Sequence, residues 1–347
     1  MPPADGTDPT ARPAGTTPSG PKVVHVNDCA FYAQRILAKA SEQELPWSFY
    51  PRAVANYPLT GLNGRARYAL DGAAWLGGLA RRAVSSDLLH IHSGGVTQHT
   101  RFIPKTYVLT LHGTDIRTLQ YDERWRNTIL RGVRNAAAVM YTTPDLREHI
   151  LPHRPDAVYL PVSIDLTKLP LPVSREQGRA RVFFVSRWDD SKNAAGQLET
   201  ARQLVLRSGG TFDVYGLDWG PMAGEAEKAG VKLVPRMSHS DYLDFLNASN
   251  IAVGQAAGIL AASELEAMAL GVPLYISLTP GLYPDDIPVG REPAESPAAM
   301  AELIAAELKD QDVLERRGAQ GRQWIAEHHD PARAVERLRE IYAAASR

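Results

Sequence analysis

The sequence predicts an α/β protein built from two doubly wound, Rossmann-like domains. Short apolar runs of strand length alternate with stretches of helical periodicity, which is typical of parallel sheets covered by helices on both faces. The alternation pauses at Leu169-Pro-Leu-Pro172 and then resumes, and two prolines within four residues indicate a linker. A chain of 347 residues is long enough for two domains of ordinary size, each with its own core.

The strands are predicted from the apolar runs on both sides of the linker. They are residues 22–26, 87–92, 107–111 and 137–141 in the first half, and 181–185, 211–215, 231–234 and 251–253 in the second. Between the strands of the second half, the run from Ala194 to Val205 carries an apolar stripe at helical spacing, and a second stripe surrounds Phe245. Each half therefore has the strand and helix order of a doubly wound sheet.

The chain is predicted to divide into four segments. Residues 1–20 are rich in Pro, Gly, Thr and Ala and should form a flexible N-terminal segment. Residues 21–168 and 173–329 should form the two domains. Residues 330–347 should form a last helix, because the segment begins with Asp-Pro, a good N-cap and first helical position, and carries an apolar stripe.

Charge and cysteine content limit the classes of partner. The 38 Lys and Arg residues nearly balance 39 Asp and Glu, which argues against broad capture of nucleic acid. Cys29 is the single cysteine, so an intrachain disulfide is excluded and a reducing, cytoplasmic setting is expected. A predicted helix around Trp75 carries arginines like a membrane-surface helix, but Gly77 and Gly78 break its apolar stripe. Association with a membrane is therefore not expected.

The segment Gly258-Ile-Leu-Ala-Ala-Ser-Glu-Leu-Glu-Ala-Met-Ala-Leu-Gly-Val-Pro273 is the most informative part of the chain. It predicts a short helix that follows a glycine loop and ends at Gly271, since Pro273 prevents continuation. Free N–H groups at a helix start can bind an anion, and a carboxylate one or two turns later can accept from ribose hydroxyls. Glu264 and Glu266 are two residues apart and must point to nearly opposite sides, so only one can face a given ligand.

This segment resembles the donor-site motif of glycosyltransferase family 4, retaining enzymes of the GT-B fold, in which Glu and seven further residues precede Glu-Ala-Met-Ala-x-Gly-x-Pro. The resemblance implies that Glu266, in the second Glu position, binds the nucleotide ribose. Gly258 stands in the first Glu position, so the contact of that acid with the transferred sugar is not carried over. Donor hydroxyls are then expected to bind backbone N–H groups of residues 258–261, including those of Ile259 and Leu260. An Ala-rich helix that ends in Gly-x-Pro also occurs in proteins without such a site.

A strand that runs into a loop with two cations opens the second half, at Val182-Phe-Phe-Val-Ser-Arg-Trp-Asp-Asp-Ser-Lys-Asn193. Fixed cations stabilise the charge that builds on a departing nucleoside diphosphate, and Arg187 and Lys192 suit that task. The family pattern is Gly-Arg followed shortly by Lys-Gly, and this chain has Ser186 and Asn193 in the glycine positions. The resemblance assigns both cations to the leaving phosphates, although exposed cations after a strand are more often simply solvated.

Two further stretches of the second half resemble parts of the family's nucleotide site. The strand at 211–215 ends in Gly216, where the family has a glycine near the nucleotide, although an ordinary strand-end glycine remains the alternative. Val234-Pro-Arg-Met237 follows the next strand and is expected to lie near the base, so that Arg236 and Met237 would make backbone contacts with it.

In the first half, the strand of Tyr107-Val-Leu-Thr-Leu-His-Gly-Thr-Asp115 ends in a polar tip, where ligands bind in open α/β sheets. The His-Gly-Thr-Asp tip resembles the family. The resemblance implies that the imidazole of His112 reaches the donor sugar, and that Asp115 orients neighbouring polar groups. A histidine at a strand end is, without the resemblance, more often a partly exposed hydrogen-bonding residue.

No metal site and no cofactor are expected beyond the nucleotide-sugar co-substrate. His90 and His92 share a strand face and could mimic a metal pair, but no acidic or cysteine partner is evident nearby. The pairs Asp189-Asp190 and Asp285-Asp286 suggest the Asp-x-Asp motif of the other large glycosyltransferase fold. Adjacent carboxylates on loops are mostly solvated turn residues.

The resemblance implies a retaining GT-B glycosyltransferase that binds a nucleotide sugar in its C-terminal domain and a small-molecule or glycan acceptor at its N-terminal domain. A UDP-sugar is favoured because it is the commonest donor type in similar enzymes. One alternative is a GT-B epimerase or hydrolase, and another, suggested by Gly258, is a catalytically weak nucleotide-sugar-binding protein. A dehydrogenase is disfavoured, because no Gly-x-Gly-x-x-Gly follows the first strand.

Overall fold

The fold is that of a computed structural model, which describes residues 20–52, 61–173, 178–291 and 296–347. The predicted flexible segment 1–20 lies outside the described residues except for Gly20. Among the described helices, none is both long and apolar enough to cross a membrane.

Strands and helices alternate through the first domain. In chain order they are β1 (Val23–Val26), α1 (Tyr32–Glu42), β2 (Trp47–Tyr50), α2 (Gly61–Val84), β3 (Leu88–His92), α3 (Thr97–Thr100), β4 (Tyr107–Leu111), α4 (Glu123–Asn135), β5 (Ala138–Tyr141), α5 (Leu146–Ile150) and β6 (Val158–Tyr159). The strands form one parallel sheet in the order β2-β1-β3-β4-β5-β6. Because the sheet is parallel, the loops after β1, β3, β4 and β5 meet at one edge.

The second domain repeats this plan. It contains β7 (Ala180–Phe184), α6 (Ala194–Ser208), β8 (Phe212–Leu217), α7 (Ala223–Lys228), β9 (Lys232–Val234), α8 (His239–Asn247), β10 (Ile251–Val253), α9 (Ala262–Ala269), β11 (Leu274–Tyr275), α10 (Pro297–Glu307), α11 (Gln311–His328) and α12 (Pro331–Ala345). Its parallel sheet has the order β11-β10-β7-β8-β9, with a buried apolar cluster on each face. The side chains of β7 are divided between these clusters, since successive strand residues point to opposite faces.

The last helix, α12, packs on the first domain. Asp330 caps it by accepting a hydrogen bond from the N–H of Ala332 at 2.8 Å, and a proline occupies its first turn. Val335, Leu338 and Tyr342 lie in the same buried cluster as side chains of α1 and of strands β1, β3 and β4. The chain therefore returns from the second domain to the first, and side chains of α12 form part of the core of the first domain.

Every predicted strand is present with ends within two residues, and the two doubly wound domains are confirmed. The prediction missed β2, β6 and β11. These are short strands at sheet edges, and β6 and β11 have only two residues each. Two residues carry too little periodicity to be recognised from sequence, and β2, although as long as β1, is only partly buried and is not a continuous apolar run.

Candidate functional site

A cavity of about 700 Å³ opens between the two domains. Its wall in the first domain includes Arg117, Asp145 and His149, and its wall in the second includes Ser191 and Ile259. These residues follow β4, β5, β7 and β10, so both sheets present the loops at the carboxyl ends of their strands to the cavity. Ligands bind at these ends in open α/β sheets.

Three cations converge beside this cavity. Arg187 follows β7, forms an ion pair with Asp189 and donates to Ser191 Oγ at 3.3 Å. Lys192 Nζ donates to Gln255 Oε1 at 3.1 Å. Burial lowers the pKa of Lys192, the carboxylate of Glu264 opposes that shift, and the charges of Arg187 and of Arg117 from the first domain act in the same direction as burial. The loop after β7 thus brings Arg187, which is paired with Asp189, and Lys192 to a place where they can contact phosphate oxygens.

The first glutamate of α9, Glu264, faces this cationic loop and is fully buried. Its Oε1 accepts from Ser186 Oγ at 2.8 Å and from the N–H of Gln255 at 3.0 Å. Its Oε2 accepts from the N–H of Ala261 at 3.1 Å and from Ser263 Oγ at 3.1 Å. One carboxylate therefore ties the loops after β7 and β10 to the start of α9, a role that the sequence analysis did not assign.

The second glutamate of α9, Glu266, faces the first domain. Its Oε1 accepts from the guanidinium of Arg35 on α1 and from His239 Nε2 at 2.9 Å. Close by, the ring of Phe31 stacks on that of His239 with a centroid separation of 4.6 Å. The two glutamates point to different sides, and Glu266 joins the domains in addition to its predicted place at the ribose.

The structure explains why a glutamate does not fit at Gly258. The residue has φ +78°, and an added Cβ would lie 2.1 Å from Thr279 Oγ1. The N–H of Leu260 donates to Tyr283 Oη at 2.9 Å, and that of Ala261 donates to Glu264. Two of the four N–H groups expected to bind donor hydroxyls therefore already have partners, which narrows that expectation to Gly258 and Ile259.

The glycine that ends the predicted second strand of this domain is required by packing, and its place near the nucleotide stays a prediction. Gly216 lies inside β8, and an added Cβ would stand 2.5 Å from Cζ2 of the fully buried Trp188. The indole N–H of Trp188 donates to the carbonyl of Leu217 at 2.9 Å. Trp188 thus joins the cationic loop to the loop after β8.

A partly exposed aromatic residue that the sequence analysis missed lies at the end of this loop. Trp219 is 43% exposed, and the guanidinium groups of Arg236 and Arg187 lie 4.9 and 5.7 Å from its ring centroid. Met237 follows Arg236 and is half-buried. The side chain of Arg236 therefore packs on Trp219, whereas only its backbone was assigned a contact.

In the first domain, Asp115 organises the loops that follow β3 and β4. Its buried carboxylate accepts from the N–H groups of Gly94 at 2.9 Å, His112 at 3.2 Å and Ile116 at 3.0 Å. The ring of His112 lies 4.9 Å from that of Tyr32, and burial lowers the pKa of His112 to about 3. His112 is therefore neutral at physiological pH.

Beneath His112, the side chains of His25, His90 and His92 are fully buried and lie close enough together to hold a metal ion. The sequence analysis considered only His90 and His92, because His25 comes from β1, where it pairs in register with His90. Every ring nitrogen of the three already takes part in a hydrogen bond within the protein. A metal ion would have to replace several of these bonds.

Neither a family model nor any curated protein sequence matches this chain. Solved structures do match it. Sucrose-phosphate synthase from Thermosynechococcus elongatus is 16% identical with a TM-score of 0.68, and the match covers 93% of this chain and 98% of that one. A UDP-forming trehalose-phosphate synthase from Burkholderia xenovorans is 11% identical with a TM-score of 0.67, over 94% and 99% of the two chains.

The Anabaena protein HepE, solved in complex with UDP, is 11% identical with a TM-score of 0.64, over 93% of this chain and all of that chain. Such low identities establish the fold alone. The neighbours are GT-B glycosyltransferases with two Rossmann-like domains, and the GT-B fold predicted from the sequence is confirmed.

Proposed function

We propose that this chain is a retaining glycosyltransferase of the family 4 type, which moves a sugar from a UDP-sugar to an acceptor hydroxyl. The convergence of Arg117, Arg187 and Lys192 beside the cavity between the domains is the main support. Three of the similar structures agree with it: HepE was solved with UDP-glucose, TarM with UDP, and the trehalose-phosphate synthase is UDP-forming.

In the proposed reaction, the bond between the anomeric carbon and the β-phosphate oxygen breaks, and a bond from that carbon to the acceptor oxygen forms. The acceptor proton passes to the departing phosphate oxygen on the same face, so no side-chain nucleophile is needed. Arg187 and Lys192 stabilise the charge that builds on the diphosphate. Lys192 is half-buried, and its charge interacts more strongly with the diphosphate than it would in open water. The proposal includes no cofactor beyond the nucleotide sugar.

The acceptor is proposed to bind against the first domain. Asp145 Oδ2 accepts from Arg117 Nε at 2.7 Å, while its buried Oδ1 has no hydrogen-bond partner among the described residues. The Asp145 side chain lines the cavity and is 13% exposed, so an acceptor hydroxyl in the cavity would donate to its carboxylate. Asp145 would then orient that hydroxyl toward the sugar.

The test is to incubate the protein with UDP-sugars and a panel of hydroxyl acceptors, and to follow product and UDP by mass spectrometry. Transfer that keeps the anomeric configuration, read by proton NMR of the product, is the expected result. Release of UDP and free sugar without any acceptor product would instead identify a hydrolase. Binding of UDP in calorimetry without turnover on any acceptor would identify a nucleotide-sugar-binding protein.

A further inference from the structure

A row of hydrogen-bonded side chains runs through the interior of the first domain, from the last helix to His112. Tyr342 Oη on α12 lies 3.2 Å from His25 Nε2. His25 Nδ1 lies 3.1 Å from His92 Nε2, and His92 Nδ1 lies 3.3 Å from His112 Nε2. Only His112 in this row is not fully buried, and its Nδ1 has no partner among the described residues.

A second branch leaves the same hydroxyl. Tyr342 Oη lies 2.5 Å from His90 Nδ1, and His90 Nε2 lies 2.7 Å from Thr110 Oγ1. Burial lowers the pKa of His25 to about 3 and lowers those of His90 and His92 well below the usual value, so the imidazoles are neutral. Each therefore has one N–H donor and one nitrogen that can only accept.

This proton count leaves two arrangements that satisfy every bond. If Tyr342 donates to His25, then His25 donates to His92 and His92 donates to His112, so that His112 carries its proton on Nδ1. If Tyr342 donates to His90, the direction of every bond in the row is reversed. His112 then donates to His92, and it carries its proton on Nε2. A third arrangement, in which Tyr342 accepts from both His25 and His90, leaves its own buried O–H without an acceptor, and every other arrangement makes two N–H groups or two lone pairs face each other; an unmade hydrogen bond is costly in the interior.

The two distances at Tyr342 select between these arrangements. The separation of 2.5 Å from His90 is shorter than a normal hydrogen bond but lies closer to the O–H range than to the N–H range, and 3.2 Å lies at the long end of the N–H range, so the geometry favours the hydroxyl as donor to His90. Burial also raises the pKa of Tyr342, which keeps the phenol protonated. Tyr342 therefore donates to His90 and accepts from His25.

We propose that Tyr342, acting through His25 and His92, holds His112 as its Nε2–H tautomer, so that Nδ1 is an acceptor for a hydroxyl of the donor sugar. Tyr342, His25 and His92 are then positioning residues, and the proton pattern that the row sets is a property of the protein itself. Only the contact with the sugar rests on the proposed function.

The test is the tautomer of His112, read from side-chain nitrogen shifts of protein labelled with 15N-histidine. The wild type should show an unprotonated Nδ1. In Tyr342→Phe the ring remains but both bonds of the hydroxyl are lost, so the His112 signal should move toward a mixture of tautomers. The kcat for transfer should fall about threefold to tenfold, the effect of one weakened hydrogen bond, with Kd for UDP unchanged.

Tyr32→Phe is the matched control. Tyr32 is also fully buried and its ring touches His112, but its hydroxyl donates to the carbonyl of Leu160 at 3.5 Å, outside the row. Its loss should leave the His112 tautomer unchanged. If Tyr342→Phe does not fold, Thr110→Val disturbs the second branch at His90 Nε2, and Thr110→Ser should restore the wild-type shifts.

An Nδ1–H signal for His112 in the wild type, or identical shifts in Tyr342→Phe, would overturn the proposal. Detection of a bound metal by elemental analysis would also overturn the proposal, if removal of that metal changes the signals of His25, His90 and His92. A tautomer change with unaltered kcat would support the row and reject the sugar contact at Nδ1, which separates this inference from the proposed function.

Discussion

Replacement of Glu264 by glutamine should destabilise the protein although it changes only one atom of the side chain. Each carboxylate oxygen accepts from one backbone N–H and one serine hydroxyl. In Glu264→Gln, an NH₂ group must take the place of one oxygen and face the N–H of either Gln255 or Ala261. A serine hydroxyl can turn and accept from the amide, but a backbone N–H cannot.

The magnitude follows from this geometry. One hydrogen bond to a charged acceptor is lost, which is worth about 1.5–3 kcal/mol, and the N–H left behind is buried. The bonds to the remaining neutral oxygen are also weaker than those to a carboxylate. We expect the free energy of unfolding to fall by about 2–4 kcal/mol, and UDP binding to weaken because the loop that holds Lys192 loses its support.

Glu266→Gln is the matched control on the same helix. Its recorded bonds to Arg35 and His239 both use Oε1, which an amide oxygen can replace, so its cost in stability should be smaller. Urea unfolding followed by circular dichroism compares the stability of the two variants, and calorimetry compares UDP binding by Glu264→Gln with that by the wild type. If Glu264→Gln lost less than about 1 kcal/mol, or no more than Glu266→Gln, the four-donor account of Glu264 would be wrong.

Three further outcomes are expected. Arg187→Ala and Lys192→Ala should each lower turnover at saturating donor by roughly a hundredfold or more, with unchanged circular dichroism, and near-normal rates would remove both from the phosphate site. Since burial lowers the pKa of Lys192, kcat/KM should decline as pH rises through that lowered pKa, and Lys192→Arg should move the decline to higher pH; coincident pH profiles would contradict this. Gly258→Glu should destabilise the protein rather than restore the family's acid, because its Cβ collides with Thr279, and a gain in both activity and melting temperature would show otherwise.

The fold could be predicted because its central strands are continuous apolar runs separated by helical stripes. β3 and β10 are buried along their whole length, and such runs need no knowledge of their neighbours. β11 has two residues, and its pairing with β10 depends on the chain that surrounds it. The local sequence pattern therefore predicts the central strands of each sheet but not all of the edge strands.

A candidate site could be predicted from the sequence where one loop supplies the residues, and not where distant segments meet. Arg187 and Lys192 lie on one loop after one strand, so their spacing in sequence is informative. The bond between Arg35 and Glu266 joins residues 231 positions apart, and no local pattern indicates it. Glu264 did carry a local signal, because an acid three residues after a helix N-cap commonly bonds back to the cap.

If Glu266 binds the ribose, as the resemblance to family 4 implies, its contact with Arg35 links nucleotide binding to the position of the two domains. A ribose diol that uses both carboxylate oxygens must compete with Arg35 for Oε1, so Arg35→Ala should bind UDP more tightly, by up to about tenfold. Linkage is reciprocal, so UDP must in turn weaken the contact between α1 and α9. Lys39→Ala, one turn further along α1 and paired with Glu42, should leave Kd unchanged in the same titration. Weaker UDP binding by Arg35→Ala would show that the arginine contacts the nucleotide itself, and the competition at Glu266 would be rejected.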